Sequence, residues 1–465
     1  MPERDRATTK SAKSGFTAEA RSTQRFFNSN SFLCDLRVSA VNYPKPSCST
    51  RQIKHSLLRC AMSYNPVDPF QTDAPGKRSL PSFSLAERDR RYEHVRRLMR
   101  ERNLDCLLAP AADVGEPQAN SRYLCQMGGV QGGAWVVFPA SGEVTAILSS
   151  ERERRMWVAN LKWPSDIRWG DFSKLVPERL LELGFGKSRI GVTGLLDQYR
   201  MSEGTIPFET WRRISTALPE ATFAPANDVL EFSRIVKGPE EIAVIQRITD
   251  ANEAAIAKMM EIARPRMEEG ELWIEMAKVL ITHTADYPAR LSLGSNNKTA
   301  NASNSMGLAI AMQDGGVLCQ EIDARLQGYR AQCNHSILIG SKNADSYRQA
   351  TNVAIECFHG ILNWVKPGNT IGGLIDEFVR LAESRGAKGG GVLVHTNGLG
   401  ADRPRVGPGP AAHDRDIVIE PGFTFTVKTQ IDFKGTPALV GEPITVAESG
   451  ARRLGHRNLV PFVTG

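Results

Sequence analysis

No apolar run in the 465 residues approaches the roughly 20 that a membrane-spanning helix needs, so no helical span is expected and a membrane is not an expected partner. Cysteine is sparse and unpatterned: eight residues and no C-x-x-C, which removes a disulfide framework and a Cys-based metal knuckle. Cys34, Cys48 and Cys60 fall in a basic leader, while Cys106, Cys125, Cys319, Cys333 and Cys357 are scattered, several in apolar runs such as Val317-Leu318-Cys319. Buried free thiols in a reducing cytosol are the expectation, and hence a cytoplasmic protein. A strong charge of one sign is also missing. The net charge is only +7, and the first 61 residues, with eleven basic and four acidic side chains, account for all of it. That excludes the electrostatic footprint of a nucleic-acid-binding protein.

At 41% hydrophobic and 23% charged residues, the chain can bury real cores, and its length suggests two or three domains. Residues 1–61 are Ser- and Arg-rich without apolar period. We read them as a disordered leader or an over-extended start ahead of Met62 rather than a transit peptide, since Glu3 and Asp5 spoil an acid-poor beginning. Residues 62–83 form a Pro- and Gly-containing approach segment.

From Ser84 the pattern changes. Ser84-Leu85-Ala86-Glu87 is a capping-box signature, followed by an apolar stripe at Tyr92, Val95, Leu98 and Met99. Strand-length runs at 104–108, 133–138, 143–148 and 189–192 alternate with helical patterns at 175–183 and 208–218, which predicts an α/β domain over 84–230. Over 231–465, helices are expected near 240–263, 271–282, 346–364 and 371–385. Strands are expected at 307–311, 316–322, 335–340, 423–428, 438–440 and 443–446. Helix pairs followed by strand blocks, twice, imply two similar α+β halves around one curved sheet.

Four local patterns in the second region carry a resemblance. They are Arg234-x-x-Lys237-x-x-x-Glu241-Ile242, Gly316-x-x-x-x-Glu321-x-x-Ala324-x-x-x-Gly328-Tyr329, Val365-Lys366-Pro367-Gly368 and Ile419-Glu420-Pro421-Gly422-Phe423-Thr424-Phe425-Thr426-Val427. In this order and spacing they resemble the pita-bread superfamily of methionine and Xaa-Pro aminopeptidases, prolidase, creatinase and ectoine hydrolase. The first region resembles the creatinase-type N-terminal domain. The implied fold is a creatinase-like α/β domain followed by an α+β pita-bread domain, and the family implies a homodimer.

The metal-dependent relatives hold two divalent ions with Asp, Asp, His, Glu and Glu. Carried over by position, these fall on Glu321, Gln332, Asn397, Lys428 and Glu442. Neutral amides are weak ligands and an ammonium repels a dication, so neither a metal nor another cofactor is expected. The resemblance to creatinase, which grips its substrate with one His and two Glu, falls on Asn301, Asn334 and Lys428, so creatine is not the expected substrate.

The expectation is a pocket in which Lys428 stands between Glu321 and Glu442. Gln332, Asn334, Asn397, Asn301 and Asp323 would surround it as substrate-binding groups, with His395 as a substitute acid or base. Arg403, Arg405 and Lys298 are either carboxylate binders or solvated loop charges. His335, next to Asn334 on a strand, should face the other way. Such a site suits a metal-independent hydrolase splitting a C–N bond in a small polar, amino-acid-like molecule. An inert salt-bridge cluster in a non-catalytic pseudopeptidase, an atypical Xaa-Pro metallopeptidase and a related lyase stay open as alternatives.

Overall fold

The computed structural model describes residues 81–110, 119–127, 133–159, 161, 163–196, 204–298, 309–400, 403–408 and 414–465. The leader 1–61, nearly all of the approach segment 62–83, and Asn301 lie outside the described residues.

Ser84 caps α1 (Leu85–Glu101), its hydroxyl accepting the Glu87 amide at 3.2 Å. The other half of the capping box is not made by Glu87. The Ser84 amide donates instead to Glu240 at 2.8 Å, because the Glu87 carboxylate is taken by Arg90 and Arg91. Beyond α1 come β1 (Cys106–Pro110), α2 (Ala119–Cys125), β2 (Ala134–Pro139), β3 (Thr145–Leu148), α3 (Glu151–Val158), β4 (Asp166–Trp169) and α4 (Phe172–Glu182). They are followed by β5 (Arg189–Val192), α5 (Phe208–Ala217), β6 (Thr222–Pro225) and α6 (Asn227–Ser233). The strands form one mixed sheet in the order β4-β3-β2-β1-β5-β6. Every residue of β1, β2 and β3 is buried, as expected of a sheet covered on both faces. The half-exposed β4 and the largely exposed β6, at the two edges, lack that apolar signal and were not expected from the sequence.

The second region opens with α7 (Pro239–Ile262) and α8 (Glu269–Thr284), then β7 (Arg290–Gly294), β8 (Gly316–Leu326), β9 (Tyr329–His335) and β10 (Ile337–Ile339). A second helix pair, α9 (Ala344–Trp364) and α10 (Ile371–Glu383), precedes β11 (Lys388–Gly390), β12 (Val394–Thr396), β13 (Gly398–Leu399), β14 (Arg405–Val406), β15 (Thr424–Phe433), β16 (Thr436–Ala447) and β17 (Gly450–Arg453). Among the described residues these strands make one antiparallel sheet with the path β10-β8-β9-β16-β15-β12-β14. The first helix pair packs on β7–β9 and the second on β15–β16, so the repeated halves expected from the sequence share a single sheet. The strands expected at 438–440 and 443–446 are one continuous β16, since Pro443 interrupts no sheet register.

Two tight hairpins set the site. Gln327 and Gly328, both with positive φ (53° and 85°), turn β8 into β9 with Leu326 paired to Tyr329. Lys434 and Gly435 (53° and 81°) do the same for β15 and β16, pairing Phe433 with Thr436. Both registers follow, and with them the face on which every residue stands.

The two regions are joined by buried charge. Arg91, fully enclosed, donates to Glu87 at 2.8 Å and to the Tyr329 hydroxyl at 2.9 Å; Tyr329 in turn donates to Glu241 at 3.0 Å. Arg90 bridges Glu87 and Glu241, at 2.8 and 2.7 Å. Burial alone would raise the Glu87 pKa, but Arg90 and Arg91 override it and hold the carboxyl at about 2. The Glu241 of the first sequence pattern is therefore a tie between domains, and Lys237 is another side chain in the same segment, donating to Thr396 at 3.2 Å.

Candidate active site

In β8, Glu321 and Asp323 are two apart and share a face; Gln332 lies across from Asp323 on β9. Asn334 lies across from Gly441 on β16, and Gly441 across from Lys428 on β15. This face lines a small cavity of about 70 Å³ bounded by Arg290, Glu321, Arg330, Gln332, Val392, His395, Arg405, Lys428 and Gln430.

The Lys428 ammonium donates to Glu321 Oε1 at 2.7 Å, and the Arg290 Nε lies 2.8 Å from Glu321 Oε2. Lys428 and Glu321 stand three strands apart, about 14 Å in a flat sheet at ~4.8 Å per strand. They meet because the sheet curls and because Gly441 leaves a gap for the lysine stem. A Cβ at 441 would lie 2.9 Å from Lys428 Cγ and 2.6 Å from Asn334 Oδ1. Burial lowers the Lys428 pKa; Glu321 opposes that pull, and the charges of Arg290 and Arg405 reinforce it.

Five of the residues singled out in the sequence reach the cavity: Glu321, Gln332, Lys428, His395 and Arg405. His395 is held at both ring nitrogens, Nε2 lying 2.6 Å from Gln332 Oε1 and Nδ1 3.1 Å from the Thr396 carbonyl. The ring is thereby held against Gln332 at the cavity wall. Asn397 and Asn334 are buried behind the cavity wall. Asn397 Oδ1 accepts from Thr426 at 2.8 Å and Asn334 Nδ2 donates to the Gln320 carbonyl at 2.6 Å, while Asn397 Nδ2 and Asn334 Oδ1 are buried without a hydrogen-bond partner among the described residues, and neither residue lines the cavity.

Three expectations are corrected. Glu442 does not flank Lys428: it pairs with Val427 and points to the opposite face, fully buried. There Arg453 donates to it at 2.6 and 2.8 Å and Arg457 lies 2.7 Å away. The residue of β16 that stands beside Lys428 is Gly441, one position earlier, and it has no side chain to offer. Asp323 does not add a carboxylate to the cavity, because Arg330 is paired to it, Nε donating at 2.9 Å. Arg403 lies outside the cavity lining and pairs with Asp414 at 2.7 Å and Glu231 at 3.4 Å, tying its loop to α6.

The sequence reading missed Arg330 and gave Arg290 no role. The signal for Arg330 was strand parity, since Arg330, Gln332 and Asn334 alternate on one strand and share a face. His335, of opposite parity, lies on the far side as expected, with Nε2 2.9 Å from the Val460 carbonyl and Nδ1 accepting from Arg457 at 3.3 Å. Burial and the Arg457 charge pull its pKa down to about 4.

Comparison with known proteins agrees with this architecture. Residues 91–236 match the family model of the creatinase/prolidase N-terminal domain, and 243–456 that of metallopeptidase family M24. The chain is 24% identical over 262 residues to the Xaa-Pro aminopeptidase of Escherichia coli K12, covering 50% of this chain and 59% of that one. It is 22% identical over 281 residues to the ectoine hydrolase of Halomonas elongata, covering 57% and 68%. The Xaa-Pro dipeptidase structure from Bacillus anthracis superposes with a TM-score of 0.67 at 18% identity, over 81% of this chain and 99% of that one.

Proposed function

Since the chain belongs to the creatinase and aminopeptidase pita-bread superfamily, we propose that it is a hydrolase that splits a C–N bond in a small polar, amino-acid-like molecule without a metal ion. The observation that carries this is the Arg290–Glu321–Lys428 triplet lining the cavity, with the glutamate and lysine buried and the arginine half-buried. Metal-dependent relatives would need hard anionic donors here. Both Glu321 oxygens are already taken by cations, Lys428 is itself a cation, Gln332 and Asn397 are amides, and Gly441 has nothing to give. The donor set does not fit a pair of divalent ions, and no step is routed through one.

The same groups suit acid–base chemistry. Glu321 takes a proton from an attacking water as its oxygen bonds to the substrate carbon. Lys428, whose proton affinity burial has reduced, delivers a proton to the departing nitrogen as the C–N bond breaks. The 2.7 Å hydrogen bond then returns the proton from Glu321 to the lysine, closing the cycle. Arg290 keeps Glu321 oriented throughout.

The test is hydrolysis of a panel of N-acyl amino acids, guanidino acids and cyclic amidines by protein stripped with EDTA. Turnover that survives stripping and vanishes in Lys428→Met is the expected result. Turnover that appears only on adding manganese or zinc overturns the metal-free reading, and a ligand bound but never cleaved overturns the hydrolase in favour of a binding protein.

A further inference from the structure

We infer that Asn334 is a positioning residue for Lys428: its side-chain oxygen is a second seat for the ammonium, which moves there from Glu321 and frees one carboxylate oxygen at the cavity. What the move does for catalysis rests on the reading of this cavity as a reaction site; the seat itself does not. Asn334, Gly441 and Lys428 stand in one row across β9, β16 and β15, so all three address the same face. The middle position carries no side chain. The point where a Cβ of residue 441 would sit is 2.6 Å from Asn334 Oδ1 and 2.9 Å from Lys428 Cγ. Those two atoms are therefore no farther apart than the two lengths laid end to end. The lysine has three more bonds beyond Cγ, enough to bring Nζ within hydrogen-bond distance of the oxygen.

The oxygen lacks a donor. Asn334 is fully buried, and its Oδ1 has no hydrogen-bond partner among the described residues. Its amide is not turned the wrong way round: the other end donates to the Gln320 carbonyl at 2.6 Å, and only an NH2 group can meet a carbonyl. A buried acceptor left unpaired is costly, and a cation that reaches it removes that cost. Gln320 immediately precedes Glu321 on β8, so the same contact sets Asn334 against the strand that carries the first seat. At rest the ammonium stays on the carboxylate, 2.7 Å away, because the charged partner is the stronger one. When a water or a substrate hydrogen claims Glu321 Oε1, the ammonium shifts to Asn334. One hydrogen bond replaces another, and no covalent bond or proton moves in that step. Glu321, left with Arg290 alone, becomes the stronger base, and Lys428, beside a neutral amide instead of an anion, the stronger acid. Both changes run in the direction that hydrolysis requires.

A crystal structure of the full chain carrying Glu321→Ala tests the seat without any substrate. With the first seat removed, Lys428 Nζ should lie within about 3.2 Å of Asn334 Oδ1. Nζ beyond hydrogen-bond reach of that oxygen overturns the inference. Where this variant does not fold, Asn334→Asp replaces it: nearly the same in shape, it charges the second seat and should draw the ammonium to the new carboxylate, and an ammonium still bonded to Glu321 alone overturns the inference equally. On any compound of the panel that is cleaved, Asn334→Leu should lower kcat about tenfold, the worth of one charged hydrogen bond, and leave KM unchanged, because Asn334 does not line the cavity. A rise in KM with kcat intact overturns the positioning role. The two readings fail separately. Nζ seated on Asn334 with no compound cleaved keeps the seat and removes the hydrolase; cleavage indifferent to Asn334→Leu, with Nζ never on residue 334, does the reverse.

Discussion

Glu321 and Glu442 are both buried carboxylates gripped by two cations, yet they occupy opposite faces of the same sheet. Glu321 opens onto a cavity and shares its cations with whatever enters. Glu442 is sealed, and its two arginines belong to β17 and the segment after it, with Arg457 reaching on to Glu253 of α7. The first arrangement leaves a charged surface accessible, which is what chemistry needs. The second spends the same kind of contact on holding the C-terminal segment. Identical pairwise geometry thus does different things, and the exposed end of the pair decides which.

The contrast is broken most severely at the sealed site. Glu442→Ala leaves the half-buried Arg453 without its carboxylate and Arg457 with Glu253 alone, and should cost about 3 kcal/mol, read as a large drop in the denaturation midpoint. Lys428→Met at the open site should behave oppositely. Arg290 still pairs Glu321, so stability should change by about 1 kcal/mol or less while turnover falls roughly 10²–10⁴-fold. If both variants unfold alike, the distinction drawn here is wrong.

Acid sharpens it further. His335, beside Arg457 on the sealed face, has its pKa lowered to about 4 from an ordinary 6.5, so the fold favours the neutral ring. Its contribution is complete above pH 6.5 and is lost as the pH falls through about 4, and Glu87 adds a further loss between 4.5 and about 2. A thermal-melt series from pH 7 to 3.5 should show the decline, and His335→Gln should flatten its upper part. The smallest effect expected is none at all. Dialysis against EDTA should leave the melting curve and turnover where they were, and a fall in either would restore a structural or catalytic ion.

Much of this was legible in the sequence because fold signals are redundant. The Gly328-Tyr329 and Pro421-Gly422 patterns, their spacing and two helix-pair blocks all pointed to one architecture, so it survived small errors in strand limits and a strand expected at 307–311, where the described residues make only an isolated bridge at Ala311. The site is less forgiving. A strand has a period of two, and a shift of one residue moves a side chain through the sheet. Glu442 was placed in the cavity by carrying over the relatives' last glutamate by position, and the β15–β16 register, with Val427 and not Lys428 across from it, puts it on the other face. Edge strands β4 and β6 were hidden for a different reason: they bury too little to need an apolar pattern.

Gly441 carries a consequence for redesign. An acidic side chain installed there to rebuild an ion-binding centre would collide at its first carbon with both Asn334 and the Lys428 stem. Lysine and asparagine would have to be replaced before the glycine or together with it. The order of substitutions is therefore one-way, a ratchet whose pawl is a missing methyl group.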